Sequence, residues 1–180
     1  IRDRSYTRIL GEQLMEDYPE YNLTSKQLNV IVSASALHDV GKIAIPDSIL
    51  LKPGRLTKEE FEYMKEHTTK GCEIINNIRG VWSEEYARAS YEICRHHHER
   101  YDGRGYPDGL LGENIPISAQ LVAVADVYDA LVNERVYKSA FSADKAFNMI
   151  INGECGTFSP KLMDCFTKCR DRFESLAGER

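Results

Sequence analysis

Apolar residues recur at helical spacing along nearly the whole chain. Tyr6, Ile9, Leu10, Leu14 and Met15 share one face of a first helix, which Tyr18-Pro19-Glu20-Tyr21-Asn22 breaks. No capping residue precedes this pattern, so the helix is expected to begin upstream of residue 1. Thr24 suits the N-cap of a second helix with Leu28, Ile31, Val32 and Ser35 on one face. That helix is expected to end near His38-Asp39-Val40-Gly41, with Gly41 as its C-terminal residue. Pro46, Pro53 and Gly54 mark a loop. Thr57 then caps a helix opening Lys58-Glu59-Glu60-Phe61, with Glu60 placed to close a capping box, and the pattern runs through His67 to about Ile78. Ser83 caps the next, through Tyr91 and Cys94 to His98. Asp102 to Gly109 is too rich in glycine for a helix or strand interior. Ser118 to Asn133 is helical by period, with Leu121, Val124, Ala125, Tyr128 and Leu131 on one face. Two more helices are expected, one after Ser142 and one after Ser159-Pro160, with proline at the first helical position. Alternation of period two is scarce, and no strand pair meets at an Asn-Gly or Asp-Gly turn. The expected fold is all-α, a single helical bundle.

Composition narrows the class. At 180 residues, 42% of them apolar, the chain can bury one sizeable core. No apolar run approaches the roughly 20 residues that span a bilayer. Ile1-Arg2-Asp3-Arg4 is no signal peptide, so a cytoplasmic protein with no membrane partner is expected. A net charge of −5 argues against a nucleic-acid polymer as ligand, and a polyanionic substrate would need a metal or a local basic cluster. The five cysteines contain no Cys-x-x-Cys pair, and Cys165 and Cys169, one helical turn apart, suit buried thiols better than half a zinc site.

The candidate chemistry lies in imidazoles and carboxylates. His38 and Asp39 are adjacent at a helix end, His67 lies within a helix, and His97 and His98 precede the glycine-rich turn. Asp126 and Asp129, three apart on an apolar helix, point to one side. Taken singly, each has a bland reading. His67 reads first as a surface residue beside Lys65 and Glu66, and the His96-His97-His98 run equally well as a partly exposed helix end. Asp126 is harder to dismiss, because a carboxylate within Leu121-Val122-Ala123-Val124-Ala125 faces a core at real cost unless paired or bound to a cation. Together they make a donor set suited to iron, manganese or zinc in a hydrolytic site. A bridging Asp39 could hold two ions about 3.5–4 Å apart, the arrangement used to activate water against a phosphodiester. Lys42, Arg135 and Lys138 would offset phosphate charge there, and away from such ligands they would be ordinary solvated lysines and arginine.

His38-Asp39-Val40-Gly41-Lys42, Ile45-Pro46-Asp47, Lys52-Pro53-Gly54, Leu56-Thr57 and Met64-Lys65 with His67 come first in order. His97 to Gly109, Ile115-Pro116, Ala125 to Leu131, Arg135 and Tyr137 follow. Over about residues 1–165 this resembles the HD-GYP family of metal-dependent phosphodiesterases that cut cyclic di-GMP. The resemblance implies one HD-type domain over 1–180, its metal site between core helices and residues 165–180 forming a C-terminal helix and tail. It implies hydrolysis of this bacterial second messenger to linear pGpG, GMP or both, at two or three iron or manganese ions. By family pattern, His38, Asp39, His67, His97, His98 and Asp126 are the metal ligands, with Asp39 and Lys42 in the catalytic roles. Lys42 would contact the phosphate and, optionally, deliver a proton to the leaving oxygen. Asp129, Arg135 and Lys138 match substrate-side positions, and Gly105-Tyr106-Pro107 a loop that shapes the site and can contact a diguanylate cyclase. An upstream sensor or receiver domain is expected. The family's usual further histidine on the first helix falls upstream of Ile1 if Arg2, Tyr6 and Leu10 are aligned, or at Ser5 in a rival register. The usual Phe-Asp-Pro reads Phe158-Ser159-Pro160, a change of helix cap. A module that only binds cyclic di-GMP or docks a partner, and a hydrolase of another cyclic dinucleotide, are the alternatives.

Overall fold

The structure, a computed structural model, describes residues 2–133 and 140–178. Arg135 and Lys138 lie outside the described residues. Ten helices are described: α1 (Arg2–Asp17), α2 (Ser25–Ala34), α3 (Asp47–Leu50), α4 (Lys58–Lys65), α5 (His67–Ile78), α6 (Glu84–His96), α7 (Ile117–Val132), α8 (Ala143–Ile151), α9 (Pro160–Lys168) and α10 (Arg170–Gly178). Among the described residues there is no strand, only an isolated antiparallel bridge between Asp102 and Leu111. None of these helices is long and apolar enough to cross a membrane.

Side-chain caps start four of these helices. Thr24 accepts from the Gln27 amide while the Gln27 side chain returns to Thr24, and Thr57 and Glu60 form the same reciprocal box. Ser83 and Ser142 cap α6 and α8. Pro160 opens α9, but Ser159 makes no side-chain capping bond there, so the altered Phe-Ser-Pro does not swap one cap for another.

Helix α7 is apolar nearly all round, as a helix enclosed by others must be. One side packs with α1, α8, α9 and α10 around a nest of rings. Tyr6 stacks on Phe173 at 4.8 Å and meets Tyr128 edge-on at 5.0 Å, while Phe166 stacks on Phe147 at 4.6 Å. The buried thiols of Cys165 and Cys169 belong to this core. The other side of α7 offers Val122 to Ile31 and Ala34 of α2 and to Ala89 and Ile93 of α6.

The chain departs from its helical period in two places, and both serve the site. Helix α2 ends at Ala34 rather than near Gly41, and tight 3₁₀ turns carry the chain over 35–37 and 40–44. Local side chains cause this: the Ser35 hydroxyl donates to the Val32 carbonyl and the His38 ring bonds the Ser35 carbonyl, competing with helical amides. The expected helix over 58–78 is two helices that break at Glu66. Thr68 and Thr69 hydroxyls take the Lys65 and Glu66 carbonyls, and the His67 ring takes that of Met64. His67 therefore starts a helix instead of lying within one.

Gly41 does not end a helix. A Cβ on it would overlap the His67 carbonyl oxygen and crowd the Gly71 amide, so its absence lets the turn after α2 lie flush on α5. Gly71 in turn has the Cys94 sulfur where its own Cβ would stand. Gly41→Ala is expected to destabilise the fold by about 3 kcal/mol or more in urea unfolding. Gly80→Ala, where a Cβ meets nothing within 4 Å, should stay within about 0.5 kcal/mol of the parent.

Candidate metal centre

The flush packing at Gly41 delivers His38 and Asp39 against the first residue of α5. His97 and His98 come off the end of α6, and Asp126 reaches in from the middle of α7. One donor atom from each of Asp39, His67, His97 and His98 lies within 4.8 Å of the others. His38 joins through Nε2, which is 3.3 Å from Asp39 Oδ2 and 3.6 Å from Asp126 Oδ1. All six residues expected as ligands are thus brought together.

Ring orientation is set from behind. The Nδ1 atoms of His38 and His67 meet the carbonyls of Ser35 at 2.8 Å and Met64 at 2.7 Å, and that of His97 meets Ile93 at 3.0 Å. An Nδ1–H donated to a carbonyl leaves the lone pair of a neutral ring on Nε2. His67 Nε2 and His97 Nε2 then face each other at 3.5 Å, and both face Asp39 Oδ1, at 3.4 and 3.8 Å. That oxygen is buried and has no hydrogen-bond partner. Lone pairs converge here with no proton between them, which is unfavourable in a buried place unless a cation takes them. The donor chemistry therefore fits a divalent metal, with His38, Asp39, His67, His97, His98 and Asp126 to hold it.

Titration follows the same geometry. Burial is the main influence on His67, His97 and His98 and lowers all three, His98 to about 4. His38 is buried too, but hydrogen bonds to Asp126 and Asp39 outweigh that and raise it to about 10. Burial pushes Asp39 upward, yet His38 and Lys42 hold it well below the usual carboxylate range. Asp126 is likewise lowered, by His38 and His97 against its burial.

The remaining expected residues fall around this centre. Lys42 donates from Nζ to Asp39 Oδ2 at 2.6 Å and stands part-exposed at the mouth. Asp129 does not point into the donor group as Asp126 does. Its Oδ1 accepts from Asn133 at 2.9 Å, and burial, with Asp3 nearby, raises its pKa. Tyr106 lays its ring on His98, with centroids 4.9 Å apart and planes at 28°, and so walls one side. Gly105 packs on the backbone of Glu99 and Arg100, where a Cβ would overlap it.

Glu99 is a positioning residue that the sequence reading passed over. Its side chain is fully buried. One oxygen accepts the amides of Asp108 and Gly109 at 2.8 and 3.1 Å, and the other that of Leu110 at 3.0 Å. Arg95 grips Asp108 through two bonds of 2.7 Å. In the sequence, the sign of this role is an acidic residue just before a glycine-rich run whose amides have no helix or strand to pair with. Glu99→Gln replaces an acceptor by a donor facing an amide and should loosen the loop. Amide exchange at Asp108, Gly109 and Leu110 is expected to quicken, with about 1.5–3 kcal/mol lost from local protection.

Comparison with known proteins agrees with this geometry. A family model described as "HD domain" matches residues 10–162. A cyclic di-GMP phosphodiesterase of Vibrio cholerae is 43% identical over 181 residues, covering 99% of this chain and 37% of that protein. A "3'3'-cGAMP-specific phosphodiesterase 2" of the same organism is 40% identical over 156 residues, covering 87% of this chain and 29% of that protein. The chain thus spans well under half the length of these relatives. The solved structure of Bd1817, an HDG"Y"P protein from Bdellovibrio bacteriovorus, superposes with a TM-score of 0.64 at 17% identity, covering 94% of this chain and 51% of that one, which is a likeness of fold. With the family match running over most of its length and the Gly105-Tyr106-Pro107 loop folded against the histidine cluster, the chain belongs to the HD domain family, in its HD-GYP branch.

Proposed function

We propose that this domain hydrolyses a phosphodiester bond of cyclic di-GMP, giving linear pGpG, GMP or both, at a centre of two or three iron or manganese ions. The observation that carries the reading is the buried, unpartnered Asp39 Oδ1 facing two imidazole lone pairs. Such a donor set suits a hydrolytic metal, and the relative of 43% identity is named for this activity. Asp39 offers its two oxygens in different directions, Oδ1 toward His67 and His97 and Oδ2 toward His38 and Lys42, which suits a bridging ligand. Bound divalent ions supply Lewis acidity and an acidified water for attack on phosphorus.

The protein's own groups do the rest. Lys42, held by Asp39 at the rim, is assigned the neutralisation of a nonbridging phosphate oxygen and the protonation of the departing one, a role its ion pair with Asp39 supports. His98, fixed between His67 and Tyr106, is kept neutral by burial and so available as a ligand. Asp129, Arg135 and Lys138 take the substrate-side roles, the last two from outside the described residues. The buried thiols of Cys72, Cys94, Cys165 and Cys169 accord with a reducing cytoplasm, where a soluble messenger would be met. A cyclase partner at the Gly105-Tyr106-Pro107 loop and a sensor or receiver domain upstream complete the reading on the strength of the family resemblance. A second reading, hydrolysis of another cyclic dinucleotide, is favoured by the relative named for 3'3'-cGAMP.

Elemental analysis of anaerobically purified protein, coupled to turnover assays with cyclic di-GMP and 3'3'-cGAMP in parallel, tests this. His38→Ala and Asp39→Ala are expected to lower metal content and cut turnover more than about 100-fold while far-UV circular dichroism stays helical. Parental turnover in both variants would sink the mechanism, and a preference for 3'3'-cGAMP would select the second reading.

A further inference from the structure

Helix α4 has no buried residue, and its Phe61 belongs to none of the core clusters among the described residues. It is nevertheless firmly placed: Thr57 and Glu60 box its start, and Lys52 holds Glu60 through bonds of 2.8 and 2.6 Å. Its inner face turns toward the candidate metal centre. The Phe61 ring, 47% exposed, stands edge-on to Tyr106 with centroids 6.4 Å apart and planes at 83°. Tyr106 in turn stacks on the ligand candidate His98. Lys65, one turn along, puts its ammonium 5.3 Å from the Phe61 centroid and 5.5 Å from that of Tyr106, while also pairing with Glu62 at 2.7 Å. A line of three rings thus leads from the centre to solvent, and it ends on the half-exposed Phe61 ring with an ammonium over it.

An exposed aromatic face next to a phosphodiester site has an obvious chemical complement in a nucleobase, which stacks on such a ring for about 1–3 kcal/mol. The lysine narrows the choice. Guanine presents two acceptors, O6 and N7, to an ammonium, whereas adenine sets an amino donor beside its N7. We propose that Phe61 and Lys65, with the edge of Tyr106, form the seat for one guanine base of the substrate, Phe61 supplying the stacking face and Lys65 the preference for guanine over adenine. This rests on the phosphodiesterase reading above and assigns its base specificity to α4.

The test uses the metal-loaded chain with Phe61→Ala, Phe61→Trp and Lys65→Met. Steady-state kinetics on cyclic di-GMP, cyclic di-AMP and methyl p-nitrophenyl phosphate, which has no purine, are read beside calorimetric binding of cyclic di-GMP and GMP. Phe61→Ala is expected to weaken cyclic di-GMP roughly 5- to 100-fold in KM and in binding, with the effect on kcat much smaller, and Phe61→Trp to restore both. Lys65→Met should narrow the guanine-to-adenine ratio. An equal loss on methyl p-nitrophenyl phosphate, or unaltered KM and binding in Phe61→Ala, overturns the seat. So does a failure of the parent to bind either guanine nucleotide. Binding that depends on Phe61 without any turnover would sink the proposed reaction and leave the seat standing. Should Phe61→Ala not fold, Phe61→Trp and Lys65→Met decide on the same readouts.

Discussion

Everything at the centre depends on how closely two stretches of backbone approach at Gly41. The turn after α2 carries His38, Asp39 and Lys42 within five residues, and it can lie on α5 only because Gly41 has no side chain to meet the His67 carbonyl. Any Cβ there moves the turn by more than a bond length. Asp39 Oδ1 would then lose its 3.4 Å approach to His67 Nε2, and the donor set would open. The second glycine of the contact, Gly71, extends the same logic one layer outward, where α5 meets Cys94 on α6. The turn thus closes on α5 through backbone, and α5 closes on α6 through the short Cys94 side chain.

That closure sets up an electrostatic problem which the protein alone settles only in part. His38 can share a proton with Asp39 and Asp126, and its raised pKa records that. His67 and His97 make no such carboxylate hydrogen bond, and burial keeps them neutral against the pull of Asp39. A divalent ion would take the lone pairs of both and displace the shared proton from His38, so metal binding and proton release are coupled. The aromatic core between α7 and helices α1, α8, α9 and α10 does not take part in this exchange. It supplies burial that does not depend on a metal, and α7 transmits that rigidity to Asp126.

Much of this was legible in the residues. Thr24, Thr57, Ser83 and Ser142 announced helix starts, because capping is decided by neighbours three residues away. The ligand set as a whole was named by the family resemblance, and on its own residues only Asp126, a carboxylate in a core-forming helix, needed a reason to be there. The break at Glu66 was not legible: it arises from Thr68, Thr69 and His67 bonding back to carbonyls, and helical period is blind to side-chain competition. Gly41 was read as a helix stop because its real constraint, the backbone of α5, lies 26 or more residues away along the chain. Asp126 and Asp129 share a helix face, but the first reaches His38 while the second turns to Asn133, a difference that period alone does not encode.

Two acidic residues show how burial alone fails to mark a metal ligand. Glu99, His96 and Asp108 also bring donor atoms within 4.8 Å of one another, so by proximity they rival the first cluster. Glu99, however, already accepts three backbone amides, and Asp108 is held by the Arg95 guanidinium. A cation there would have to displace bonds that hold the loop. Asp39 Oδ1 has no such bonds to lose, and the rings around it present lone pairs instead of protons. The distinction lies in unmet acceptor capacity, and it makes one cluster a place to hold metal and the other a clasp for the loop whose Tyr106 walls that place.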